Sequence, residues 1–355
     1  MKACKEIKHS TPSADWLGDD LKSWSQSIRN GFVRAHLLFA LHETGVFELL
    51  RTSKPLTVSQ IAQRCSLDAA ILEGVLNFMY HSDKVLTKEG KRFSLTQQGL
   101  DWLFTDTVLT MSYGLVGAAS CIYIELVPVL RKEKTYGVDF VRRGDLVAKG
   151  SYYTSSQNYP WIIDEMKKLG VKVVADMGCG AAKILIDFCT LDGDIKGVGL
   201  DISGEALQEA AGNIEKQGLS DRISLVEADI SKPKTYARRL KDVQAFNAIM
   251  VLHEFFRNGE DAVIKLLQDL RTYFPGRYLF LGELNPLTDD EYQETPRPDR
   301  IHILCNQYIT HYITGGRPLL TRKQEWLRIF RKAGIKVVKV KDDFGSRLVE
   351  YVLQL

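Results

Sequence analysis

Residues 171–201, VKVVADMGCGAAKILIDFCTLDGDIKGVGLD, constrain the fold more than any other stretch of this chain. An apolar, β-branched run (Val171, Val173, Val174) passes directly into Asp176-Met177-Gly178-Cys179-Gly180, which reads as a buried parallel strand ending in a tight turn. Residues 181–190 then have helical spacing, and after a short Gly/Asp-rich loop a second apolar run, 197–200, ends on Asp201. Parallel strands can be joined only by a crossover, so a strand, turn, helix, strand unit commits the chain to a parallel sheet.

The C-terminal half continues the alternation. Strands are expected at 223–226, 245–251, 278–283, 336–341 and 348–355, with helices at 204–217, 261–274 and 321–333. Too few residues separate the last two strands for a crossover helix, so those two must be antiparallel. The expected fold class is therefore α/β, a Rossmann-like, mainly parallel seven-stranded sheet with a reversed last strand.

An acid about 20 residues beyond the last glycine is the arrangement by which a carboxylate takes the ribose hydroxyls of a nucleoside. A dinucleotide fingerprint would carry a third glycine where Ala182 stands, and a phosphate cradle relies on that glycine. An acid before the first glycine, Asp176, instead fits a ligand with a cationic end. Asp229, in SLVEADI, closes the third strand. These residues resemble the class I S-adenosylmethionine (SAM) methyltransferases: Asp176, Gly178 and Gly180 match the first motif, Asp201 the ribose-binding acid, and Asp229 the acid that faces the adenine. The resemblance implies SAM as the cofactor.

The first third of the chain has its own organisation. Residues 30–50 place apolar side chains at helical spacing, Thr57 can cap a helix running through Gln63, and Asp68 can cap another over 69–81. Two short strands, 84–87 and 92–95, flank Glu89-Gly90. Helices followed by a hairpin read as a winged helix. The supposed recognition helix, AAILEGVLNFMYH, has no Lys or Arg to meet phosphates, so its face suits protein and not nucleic acid. The order of parts resembles the N-terminal dimerisation domain of small-molecule methyltransferases and implies a homodimer. The chain thus divides into a mainly α, winged-helix-like dimerisation domain (1–110), a helical linker and substrate-lining segment (111–165), and a SAM-binding methyltransferase domain (166–355).

Composition excludes several classes. A net charge of +3 over 355 residues provides no nucleic-acid surface. The six cysteines lack CxxC pairing, so neither a zinc knuckle nor a disulfide framework is indicated; reduced thiols and a cytoplasmic protein are expected. Residues 108–130 are long enough to cross a bilayer but carry Glu125, Pro128 and several Gly and Ser residues, so a buried helix and no membrane association are expected. The tail of the linker, with Tyr152 and Tyr153, is expected to line the substrate site.

In an open α/β sheet the ligand lies beyond the carboxyl ends of the strands, which places His253 and Glu254, in MVLHEFF, beside the reacting methyl. Imidazole is suited to take the proton of a hydroxyl acceptor, and Glu283, closing the next strand, can orient the ring. The run MVLHEFF resembles the strand-end motif of winged-helix O-methyltransferases, in which the histidine is the general base. This implies O-methylation of a small carboxylate- or hydroxyl-bearing acceptor, a metabolite or a peptide end, in natural product biosynthesis.

Two departures point elsewhere. The glycine pair Gly315-Gly316 is followed by no acid, where those O-methyltransferases have a further glutamate, and His311 stands where they have an apolar residue. His253, an adjacent carboxylate and a distant histidine resemble the α-keto-acid C-methyltransferases, with Glu254 in place of that family's Asp. That resemblance implies an alternative: His253, His311 and Glu254 hold Fe or Zn, and the acceptor is the β-carbon of an α-keto acid. His302 is a substitute for His311. Arg297, Arg300, Arg317 and Arg322 surround this region, and Arg300 in particular can clamp a substrate carboxylate. A remote alternative is a winged-helix regulator that senses SAM.

Overall fold

The computed structural model describes residues 19–153, 159–294, 309–315, 319–342 and 347–355. The chain divides into two compact units between Thr105 and Asp106. In the first, helices Asp19–Glu43, Val46–Thr52, Val58–Cys65 and Ala69–Ser82 accompany a small sheet of β1 (Leu56–Thr57), β2 (Leu86–Glu89) and β3 (Arg92–Leu95), in the order β1-β3-β2. Local chemistry sets these boundaries. The Thr57 Oγ1 accepts from Gln60 N at 3.3 Å while Gln60 Oε1 accepts from Thr57 N at 2.9 Å, a reciprocal capping box. Asp68 Oδ1 accepts from both Ala70 N and Ile71 N at 2.9 Å and starts the next helix. Gly45, at φ 73°, forms the turn that ends the first helix within residues 30–50.

The second unit is built on a seven-stranded sheet of β4 (Val173–Met177), β5 (Lys196–Asp201), β6 (Ile223–Glu227), β7 (Ala245–Ile249), β8 (Tyr278–Leu284), β9 (Lys336–Asp342) and β10 (Leu348–Gln354). The spatial order is β6-β5-β4-β7-β8-β10-β9. All pairings are parallel except those of β10, which runs antiparallel to β8 and β9, as the short connection required. One face packs under helices Glu260–Tyr273 and Lys323–Ala333 around Phe246, Leu267, Trp326 and Phe330. The other packs under helices Tyr159–Lys168, Lys183–Leu191 and Gly204–Lys216 around Val174, Leu185, Phe188 and Ile214. With both faces covered, β4 and β7 read as near-continuous apolar runs. The carboxyl ends of β4, β5, β7 and β8 therefore share one edge of the sheet.

Residues 108–130 do not form the single buried helix expected of them. They fold as short helices, Asp106–Thr110, Ser120–Ile124 and Leu126–Leu130, around a π-helical stretch, Met111–Ala118. Ile124 and Leu130 are 74% and 73% exposed. Gly114 and Gly117 weaken the helix, and Pro128 is accepted only within a first turn, so a new helix begins just before it. Among the described residues, no helix is long and apolar enough to cross a membrane.

Candidate active site

The turn after β4 is shaped by its glycines. Gly178 and Gly180 have φ 72° and 51°, and the N–H groups of Gly178 and Cys179 donate to Leu200 O at 2.7 and 2.9 Å, tying the turn to β5. A Cβ on Gly178 would meet Val251 Cγ2 at 3.1 Å, so the backbone lies bare and close to the end of β7. Ala182, in the third glycine's place, itself takes φ 63° at the start of the Lys183–Leu191 helix. Asp201 closes β5 and pins this turn: its Oδ2 accepts from Gly180 N and its Oδ1 from Ser203 N, both at 2.9 Å. Beyond β6, the Asp229 Oδ1 accepts from Ser231 Oγ at 2.6 Å, and its carboxylate pairs with Lys232 at 2.8 Å. Partial burial would raise the Asp229 pKa, but Lys232 and Ser231 outweigh it and hold the acid below its ordinary value.

Asp176 is placed differently from the other two acids. It is 2% exposed, and its Oδ1 accepts from the Asn247 side-chain N–H at 2.7 Å across the β4–β7 pairing. Burial, opposed by that hydrogen bond and reinforced by nearby Asp201, pushes its carboxyl up to about 7.

His253 lies beyond β7 in a 3-10 helix, Leu252–Asn258, entered through Met250 in the left-handed region at φ 57°. The side chain is 1% exposed. Glu283, at the carboxyl end of β8, holds it twice: Oε2 accepts from Nδ1 at 2.8 Å and Oε1 from the His253 backbone N at 3.1 Å. A carboxylate only accepts, so the proton sits on Nδ1 and the Nε2 lone pair points away from Glu283. Burial alone would lower the imidazole pKa, yet Glu283, helped by Glu254, raises it above the ordinary value. The His253 Nε2 faces His311 Nε2, on the Thr310–Gly315 helix, at 3.1 Å, with the rings at 84°.

Glu254 completes the cluster. Its Oε1 lies 3.9 Å from His253 Nε2, and one ligand atom from each of His253, Glu254 and His311 falls within 4.8 Å of the others. Two nitrogens bound to one ion at about 2.1 Å would sit roughly 3.0–3.4 Å apart, so the observed imidazole spacing suits a shared ion. Arg257 and Arg142 flank the Glu254 carboxylate at 2.6 and 3.4 Å, and Arg257 Nε also donates to Thr314 O at 3.1 Å, linking it to the helix that carries His311. Burial would raise the Glu254 pKa; His253 and the two arginines reverse this and keep the acid ionised.

A family profile described as a methyltransferase domain matches residues 170–334. Over those residues the chain carries a methyltransferase domain, and the protein is a SAM-dependent methyltransferase. The Aspergillus campestris (strain IBT 28561) protein methyltransferase ungE' is 24% identical over 91% of this chain and 94% of its own length. Among solved structures, human N-acetylserotonin methyltransferase in complex with SAM superposes with TM-score 0.65 at 19% identity, covering 97% of this chain and 99% of that one. Mitomycin 7-O-methyltransferase MmcR superposes with TM-score 0.66 at 14% identity, covering 94% and 98%. At such identities the structures establish the shared fold, and the family match carries the activity.

In this methyltransferase SAM is the cofactor. Asp201 and the glycine turn stand together, as do His253, Glu254, Glu283 and His311. Tyr152 packs beside Ala181, with the Lys183 Nζ 5.7 Å from its ring centre, which places it against the glycine turn. Tyr153 stacks on Tyr113 with centroids 6.0 Å apart. Arg297, Arg300, His302 and Arg317 lie outside the described residues. Three residues of the methyltransferase's site were not anticipated. Asn247 is the polar residue in the otherwise apolar β7 run AFNAI, a signal that was present in the sequence. Arg257, four residues after His253, was also legible as a neighbour on one helical face. Arg142 had no local signal; only the tertiary fold brings it to Glu254.

Proposed function

We propose that this methyltransferase moves the SAM methyl group to the β-carbon of an α-keto acid, with His253, His311 and Glu254 holding a divalent or trivalent metal such as iron or zinc. The observation that carries this reading is the 3.1 Å approach of the His253 and His311 Nε2 atoms beside a carboxylate held ionised by two arginines. When bound, such an ion supplies Lewis acidity, polarising the acceptor's carbonyl and stabilising the charge that develops as the β-carbon becomes nucleophilic. Glu283 fixes the His253 tautomer so that Nε2 stays a free donor to a metal, the carboxylate–histidine pairing typical of such ligands. Arg142 and Arg257 keep Glu254 anionic and set positive charge where an acidic acceptor enters.

A second reading, O-methylation with His253 as general base, is supported by the same Glu283 pairing, which raises the imidazole pKa and leaves Nε2 as the basic atom. Against it, His311 occupies the hydrogen-bonding position in front of that nitrogen. Protein purified without chelator and incubated with SAM and α-keto acids decides between them. Near-stoichiometric metal and a new C–CH3 bond, both lost in His311→Ala, support the first reading; methylation of a hydroxyl by metal-free protein overturns it.

The exposed row Leu21, Trp24, Ile28 and Phe32 on the Asp19–Glu43 helix, at helical spacing, supports a homodimer through the first unit. Sedimentation of wild type and Phe32→Glu tests this.

A further inference from the structure

Asp176 is a buried acid with no cation beside it among the described residues. Among the described residues, the titratable groups that face it are Asp201 from β5 and the Cys179 thiol in the turn; β7 contributes only the Asn247 amide. The Asn247 N–H is used by Asp176, but the Asn247 Oδ1, in a side chain with 0% exposure, has no hydrogen-bond partner among the described residues. A buried acceptor left unpaired beside a buried carboxylate is doubly unfavourable, and one proton resolves both problems. A carboxylic acid and a carboxamide pair through N–H···O and O–H···O bonds, so a proton on Asp176 supplies the donor that Asn247 lacks.

We propose that Asp176 and Asn247 form a neutral carboxyl–carboxamide pair that ionises when SAM binds, so that the site distinguishes SAM from its demethylated product by charge. The glycine turn begins two residues after Asp176, so a cofactor seated over that turn brings its charge towards this acid. SAM and the product share an ammonium and a carboxylate and differ by the sulfonium charge, which disappears when sulfur gives up its methyl. The sulfonium, the one charge the product lacks, favours the carboxylate as it arrives in this low-dielectric setting, and the proton leaves to the buffer. After transfer the sulfur is a neutral thioether, Asp176 recovers a proton from solvent, and the site loses the attraction that held SAM. Burial pushes this acid's pKa up to about 7, which places the exchange in the neutral range. By linkage, SAM affinity rises with pH below neutrality while product affinity changes much less. The inference needs only SAM binding over the glycine turn and is independent of the metal reading.

Titration calorimetry of the full chain at pH 6, with SAM and separately with S-adenosylhomocysteine, in buffers of different ionisation enthalpy, counts the protons exchanged. The expected result is release of up to about one proton per SAM and distinctly fewer per S-adenosylhomocysteine. Asp176→Asn, which keeps the size and the neutral form, should abolish the difference and flatten the pH dependence of the two dissociation constants. Equal proton counts for the two ligands in wild type, or a difference that persists in Asp176→Asn, overturn the proposal. If the variant does not fold, the wild-type comparison alone decides.

Discussion

His253 and His311 point their Nε2 atoms at each other across 3.1 Å, although one belongs to the 3-10 helix that follows β7 and the other lies 58 residues further along the chain. Glu283 occupies the other nitrogen of His253, so the lone pair facing His311 is available to an ion. Added Co2+ should therefore give the visible absorption of nitrogen coordination, with close to one ion bound per chain. Replacing one of two imidazole ligands removes a bond that a carboxylate and solvent cannot replace, so His311→Ala should weaken binding by about 100-fold or more. Unchanged Co2+ affinity in that variant would show that the histidines meet for another reason.

Glu283 accepts from both the ring and the backbone of His253. Glu283→Gln keeps the volume but places an N–H where one acceptor stood, so the ring turns or loses its fixed tautomer. The expected effect is a fall in kcat of about 10–100-fold with little change in KM for SAM, since no glycine-turn contact is touched. Steady-state kinetics with SAM varied checks it; a change confined to KM would place Glu283 in cofactor binding instead.

The sheet was legible because β4, β5 and β8 announce themselves as short apolar runs closed by glycine or acid, and because the reversed β10 follows from the short connection between β9 and β10. The places of Asp176 and Asp201 at the carboxyl ends of β4 and β5 were legible for the same reason. What the sequence did not show was assembled by tertiary contact. Arg142 reaches Glu254 across 112 positions, and no local pattern marks it. Asp176 was expected to face the cofactor with its carboxylate; its pairing with Asn247 depends on strand order, which brings β7 beside β4. The break in residues 108–130 was missed because mean apolarity was read as one helix, while Pro128 and the glycines dictate several.

Asp201 carries two backbone hydrogen bonds, from Gly180 and Ser203. Asp201→Ala releases the glycine turn and removes the acid that the sequence pattern assigns to the ribose. Hydrogen bonds to a charged group contribute about 1.5–3 kcal/mol each, so SAM and S-adenosylhomocysteine should both bind at least tenfold more weakly. Calorimetry measures both constants. The loss should be similar for the two ligands, because the ribose is common to them.

Two helical glycines should respond in opposite directions. A Cβ on Gly150, in the Gly144–Tyr153 helix, would lie 2.6 Å from Gly114 Cα and 2.7 Å from Gly114 N, so the two helices must move apart. Gly150→Ala should destabilise by about 1–3 kcal/mol. SAM binding should weaken with it, since Ala148 of the same helix packs 3.8 Å from a Cβ built on Gly180. Gly74, inside the Ala69–Ser82 helix, has nothing within 4 Å of such a Cβ, so Gly74→Ala should stabilise by up to about 1 kcal/mol through helix propensity. Thermal melts of the two variants, run together, test the contrast.

His42 gives the first unit an acid sensitivity. Its ring meets Phe47 edge-on with centroids 4.9 Å apart and Phe104 at 6.0 Å, and burial lowers its pKa to about 4. The unfolded chain titrates this group near 6.5, so between those values the unfolded state binds the extra proton and the folded state does not. The contribution is therefore fully present above pH 6.5 and is lost as pH falls towards 4, where it amounts to about 3 kcal/mol at most. His42→Phe keeps an aromatic ring in this cluster and removes the titration. Urea unfolding at pH 7 and at pH 4.5 should show wild type losing about 2 kcal/mol more than the variant between the two conditions. Parallel losses in the two proteins would mean that acid acts elsewhere in the unit.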